Sequence, residues 1–150
     1  MKAIVLAFPL LLLTACAATQ VLDVVHPTVT GSIELRSAGR QPMHWAADRC
    51  VSGDLAYFMG FDFHSSQDAA LLRALVDPLE GAIVRWMPAH ESGLAPFTLR
   101  AKDCTRLDLR VEPTQWHVND VREYAGQIDL SCDAADGTHI EGHLAVDHCH

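Results

Sequence analysis

The sequence predicts an all-β domain, an antiparallel β-sandwich or barrel-like fold with at most one short helix, around residues 66–76. Three observations predict it. Apolar and polar residues alternate strictly in places, most clearly where Leu107, Leu109 and Val111 interleave with Arg106, Asp108, Arg110 and Glu112. Turn signals built on Gly, Pro and Asp recur at intervals of roughly 8–12 residues. Helical spacing of apolar residues occurs in one stretch only, and that stretch has a competing β reading.

The first twenty residues stand apart. Lys2 provides a short positive region and residues 3–13 an apolar run interrupted by Pro9. Such a run is far short of the roughly 20 residues of a membrane-spanning helix, so it reads as an export signal. It ends in Leu13-Thr14-Ala15-Cys16. This resembles the lipobox of bacterial lipoproteins. The resemblance implies removal of residues 1–15 as a signal peptide, lipid (palmitate) attachment at Cys16, and anchoring in the cell envelope. Ala17 in place of an aspartate implies the outer membrane of a Gram-negative bacterium, on its periplasmic side or its surface. Because each buried methylene stabilises membrane attachment by about 0.8 kcal/mol, several acyl chains hold a domain essentially permanently. A plain secretory signal cut near Ala15 or Ala18 is the alternative.

Residues 16–29 then comprise the lipidated cysteine and a tether, and residues 30–150 a single β-rich domain, a length suited to one core. Within 17–30, Val21, Leu22, Val24 and Val25 offer a rival edge strand. Regular alternation begins at Val29, with Ile33 and Leu35 on one face, and ends at the break containing Gly39 and Pro42. Residues 43–51 read as a second strand carrying Trp45 and Cys50. After a turn at 52–54, residues 55–63 read as a central core strand with Tyr57, Met59, Phe61 and Phe63 on one face.

Residues 65–79 are read two ways. Ser65 and Asp68 form a capping-box pattern ahead of Leu72, Leu75, Val76 and Leu79 at helical spacing. Alternatively Asp77, Pro78 and Gly81 mark a turn between strands at 71–76 and 82–87, and the flanking segments, all β, favour this hairpin. Residues 88–96 form a loop and residues 97–102 a strand. Leu107 to Val111 follow as a strand with a charged, solvated outer face, and residues 113–120 as a loop holding Trp116 and His117.

The last hairpin is the best specified. Gly126, Ile128, Leu130 and Cys132 share one face, as do Ile140, Gly142, Leu144 and Val146. Opposed residues must therefore have the same parity, and an Ala135-Asp136-Gly137 loop with Gly137 left-handed delivers that register. It sets Cys132 opposite Ile140 and position 149 opposite 123. Apart from Cys16, four cysteines remain, an even number in an exported chain, which reads as two disulfides. The register places Cys149 far from Cys132, and a meander brings Cys104 near Cys132. The expected pairs are Cys104 with Cys132 and Cys50 with Cys149.

Composition narrows the function classes. With Lys2 removed, ten Lys and Arg face nineteen Asp and Glu, a formal charge of −9 that repels phosphate backbones. Nucleic acid is not an expected partner. Nucleotide, zinc-protease and Gly-x-Ser-x-Gly hydrolase motifs do not occur in the sequence. A hydrolase site would have to assemble from distant residues, for example His44 or His64 with Ser52 or Ser65 and a carboxylate. The same register places His139 opposite Asp133 and His143 opposite Asp129 on the outer face. Those four residues are weak candidates for a divalent-metal site and more simply two surface pairs. The leading expectation is a lipid-anchored, non-catalytic binding or structural domain without a cofactor, whose partners are the membrane through its lipid and an envelope protein or glycan. A metal-binding lipoprotein and a hydrolase are the alternatives.

Overall fold

The alternating segments become ten strands in the computed structural model, which describes residues 28–150. The signal region, Cys16 and the rival edge strand at residues 21–25 lie outside the described residues. The strands are β1 (Thr28–Arg36), β2 (Met43–Trp45), β3 (Arg49–Ser52), β4 (Met59–His64), β5 (Leu71–Asp77), β6 (Gly81–Met87), β7 (Phe97–Arg100), β8 (Cys104–Val118), β9 (Val121–Asp133) and β10 (His139–Cys149). They form two five-stranded sheets, ordered β2-β1-β10-β9-β8 and β3-β4-β5-β6-β7, with every neighbouring pair antiparallel. The fold is a β-sandwich.

Period-2 alternation makes each sheet two-faced. Ile33, Ile128, Leu130, Ile140 and Leu144 turn inward from the first sheet and meet Phe61, Phe63, Leu72, Val84, Trp86 and Leu99 from the second, all without solvent exposure. Each such side chain stabilises the fold by about 1.5–3 kcal/mol. Trp45 of β2 meets Trp86 of β6 edge-on, with ring centroids 5.3 Å apart. Between the sheets, Cys50 is bonded to Cys149; within the first sheet, Cys104 of β8 is bonded to Cys132 of β9.

The final hairpin pairs Cys132 with Ile140, Leu130 with Gly142 and Ile128 with Leu144, as parity requires. Gly137 is left-handed at φ 81°, and its N–H donates to the Ala134 carbonyl. Beyond Val146 the register slips by one residue. His148 takes a left-handed φ of 55°, and Cys149 faces Tyr124 instead of the expected residue 123. The extra residue is a β-bulge, which a uniform alternation cannot reveal.

Other local expectations are corrected. β1 starts at Thr28, inside the expected tether, because β10 extends far enough for Asp147 to pair with it. Residues 43–51 are two strands, β2 in one sheet and β3 in the other, because the chain crosses the sandwich between Trp45 and Arg49. The expected strand at 55–63 begins only at Met59. Gly53–Ala56 is a 3-10 turn closed by hydrogen bonds from the Tyr57 and Phe58 N–H groups to the carbonyls of Asp54 and Gly53. Tyr57 is therefore left-handed and almost fully exposed, not core.

No helix forms at 66–76. Asp77 accepts hydrogen bonds from the N–H groups of Leu79 (2.8 Å) and Glu80 (2.9 Å), which fixes the β5–β6 turn. Asp68 instead takes the Ala70 N–H and the Trp45 indole N–H. Strand β7 stops at Arg100, followed by a 3-10 turn, Ala101–Asp103. The expected loop at 113–120 is largely strand, since β8 runs to Val118 and turns at Asn119 and Asp120, both at positive φ. Pro113 is tolerated because, among the described residues, β8 is an edge strand with a partner on one side only.

Candidate functional site

The outer face of the first sheet collects most of the candidate side chains. Residues alternating with the core set point outward, so the strand register assembles them in rows across the sheet. One row runs from His44 on β2 through Glu34 on β1 and Glu141 on β10 to Ser131 on β9 and Arg106 on β8. The next row holds Ser32, His143, Asp129 and Asp108. A third, at the other side of the first, holds Arg36, His139 and Asp133.

Glu34 and Glu141 are directly opposed, an arrangement that like charges disfavour. Arg36 relieves it by bonding Glu34 and reaching Glu141 at 2.6 Å, while His44 Nε2 lies 3.3 Å from Glu34. The hydrogen bond with Glu34, reinforced by the charge of Glu141, raises the Arg36 pKa above its ordinary value, so the guanidinium stays charged. His139 places Nδ1 2.8 Å from Asp133 and Nε2 3.6 Å from Glu141. His143 Nδ1 lies 3.1 Å from Asp129. The result is a continuous polar surface of alternating donors and acceptors.

Two shallow depressions flank the His143 row. One, of about 350 Å³, is bordered by Ser32, Glu34, His44, Arg106 and Glu141. The other, of about 310 Å³, lies over the small residues Thr28, Thr30, Ala125 and Ala145 and is edged by Arg110, Gln127 and Glu112. Both are open to solvent. They suit a polar, extended ligand better than a small apolar one, since they offer hydroxyl, amide and charged groups and no aromatic wall.

The weak metal candidates form two separate pairs. His139 and His143 are four residues apart on one strand, about 13 Å at 3.3 Å per residue, so the two pairs cannot converge on one ion. Among the described residues, no group of three or more His, Cys, Asp and Glu side chains is placed to hold a metal.

The triad candidates are likewise dispersed. Ser52 lies buried on the inner face of β3, and its hydroxyl has no hydrogen-bond partner among the described residues. His64 is on the outer face of β4, facing Arg49, and His44 is on the opposite sheet. The Ser65 hydroxyl accepts the Gln67 N–H. None of these hydroxyls touches an imidazole.

One cluster escaped the sequence reading. Glu123 is buried, and its Oε2 lies 2.8 Å from His148 Nδ1; His150 Nδ1 lies 3.9 Å from Oε1 and 3.1 Å from the His148 carbonyl oxygen. The bulge at His148 redirects its side chain toward Glu123. The only hint in the sequence is the spacing of His148 and His150, which flank a cysteine.

No family model matches this chain, and no curated protein or solved structure is significantly similar to it.

Proposed function

We propose that this chain is a lipid-anchored cell-envelope protein whose β-sandwich is a binding or structural domain without a catalytic centre. The observation that carries the reading is Leu13-Thr14-Ala15-Cys16 after a short apolar run. Two disulfides agree with it, because such bonds persist in oxidising compartments outside the cytoplasm. The absence of aspartate after Cys16 favours the outer membrane. The polar rows on the first sheet favour a glycan or the surface of an envelope protein as ligand, because flat, hydrogen-bonding surfaces match partners of that kind.

The anchor is tested by metabolic labelling with a palmitate analogue. Labelled wild type, with label and membrane attachment both lost on Cys16→Ser, is the expected result. An unlabelled wild-type protein of plain secretory size would remove the anchor. The binding face is tested by comparing capture of envelope glycans and proteins by wild type and by a Glu34→Ala, Glu141→Ala variant; equal capture would place the ligand elsewhere.

A further inference from the structure

We propose that the free edge of β8 pairs with β8 of a second copy of this chain, antiparallel, with Leu109 on the two-fold axis. Strand β8 bonds to β9 on one side and, among the described residues, has no strand on the other. Its register is irregular between Cys104 and Arg106 and again between Pro113 and His117. Between those points, Arg106 to Pro113 form one regular run, which is a template for another strand.

The side chains along that run specify the partner. Arg106, Asp108, Arg110 and Glu112 are all exposed and alternate in sign. In an antiparallel pair centred on Leu109, Arg106 faces the partner's Glu112 and Asp108 faces the partner's Arg110, and the two-fold repeats both pairs. Every charged position then meets its opposite. Moving the axis to Asp108 or Arg110 sets Asp against Asp or Arg against Arg. Moving it by half a step sets charged faces against apolar ones. Moving it two residues, to Leu107 or Val111, keeps one opposite-charge pairing within the run, so the Leu109 register alone pairs all four charges with their opposites.

The apolar face agrees. Leu107, Leu109 and Val111 are packed against the core yet only partly buried, because among the described residues the sheet ends at β8. In the proposed register Leu109 meets the partner's Leu109, and Leu107 the partner's Val111, so both inner faces continue across the junction. Asp108 also faces Asp129 on β9, a like-charge opposition that Arg110 of the same chain meets only loosely, its Nη2 lying 3.5 Å from the Asp108 carboxylate. The partner's Arg110 supplies an opposite charge on its free side. Such a contact is small, at the low end of protein interfaces, so the dimer is weak and salt-sensitive.

Sedimentation velocity on the full chain in a density-matched non-ionic detergent tests this. A concentration-dependent dimer is expected in roughly 50 mM NaCl, weakened about tenfold or more near 500 mM. Arg106→Glu with Arg110→Glu makes the edge uniformly acidic, and Asp108→Arg with Glu112→Arg makes it uniformly basic. Each variant should be monomeric alone, and an equimolar mixture should recover the dimer. Should either variant lose its circular-dichroism signature of folding, wild-type hydrogen exchange decides: protection at residues 106–112 must rise with protein concentration. A wild type monomeric throughout, a dimer indifferent to both reversals, a mixture that stays monomeric, or concentration-dependent protection confined to another strand overturns the proposal. The first of these outcomes would identify the alternating charges as a guard against edge pairing.

Discussion

Cys50 of β3 and Cys149 of β10 are covalently joined across the sandwich, with Cα atoms 5.6 Å apart although 99 residues separate them in sequence. The bond ties the last strand of one sheet to the first strand of the other. Cys104 and Cys132, by contrast, link adjacent strands 28 residues apart. In the chain-entropy account the longer loop contributes about 4.7 kcal/mol and the shorter about 3.6 kcal/mol. Paired replacement of Cys50 and Cys149 by Ala should therefore lower the urea midpoint more than paired replacement of Cys104 and Cys132. The opposite order would show that the intersheet bond is not the main covalent constraint on the unfolded chain.

Trp86 is fully buried against Trp45. Replacing it with Ala removes a large side chain from a core drawn from both sheets, and the expected loss is about 3–5 kcal/mol. Urea unfolding followed by far-UV circular dichroism measures it; a loss under about 1 kcal/mol would mean that the sheets close over the vacated space.

Gly126 sits on the inner face of β9, where Phe61 packs over it. A Cβ there would stand 2.1 Å from the Arg110 carbonyl oxygen and 2.8 Å from the Phe61 ring. Gly126→Ala should destabilise by about 1–3 kcal/mol through overpacking. A companion change of Phe61 to Leu should recover only part of that, since the backbone contact remains. Thermal melts of the single and double variants separate the two contributions.

His64 lies on β4 between Arg49 and Leu71, with Asp62 and Arg73 close by. Burial first, then the positive charge of Arg49, holds its pKa below the ordinary value of 6.5, against the opposing pull of Asp62. The unfolded chain therefore binds a proton more readily than the folded one in this range. Stability from this source is fully present above about pH 6.5 and falls as pH drops through the folded-state value. Urea midpoints between roughly pH 7.5 and pH 5 should decline less for His64→Gln than for wild type. Parallel curves would remove His64 as the cause.

Asp129 and His143 approach across β9 and β10 on a face open to solvent. Exposed pairs of this kind contribute under about 1 kcal/mol, so Asp129→Ala should shift the unfolding free energy by less than that. Calorimetric titration of zinc into metal-free protein should give no stoichiometric sub-micromolar binding, because a stable zinc site closes with about four ligands. Tight binding abolished by His143→Ala would reverse this.

Much of the candidate face was legible in the sequence because parity alone orders it. Once the Gly137 turn is placed, His139 must face Asp133 and His143 must face Asp129. Glu34, Arg36 and His44 were not legible as members of the same face. They join it only because β1 inserts between β2 and β10, a pairing between opposite ends of the chain. Glu123 was hidden for a different reason, since its environment depends on a bulge that interrupts the alternation at His148.

By itself, the sequence determined the β class, the two-faced character of each strand, the β5–β6 turn at Asp77 and the register of the last hairpin as far as Val146. Those features follow from local periodicity and from turn chemistry within a few residues. Only the tertiary structure decided which sheet each strand joined, where the run at 43–51 crossed the sandwich, and that Tyr57 would leave the core while Phe61 and Phe63 entered it. Period-2 alternation specifies that a face is buried but carries no information about which distant face covers it. That choice is made by the packing of whole sheets.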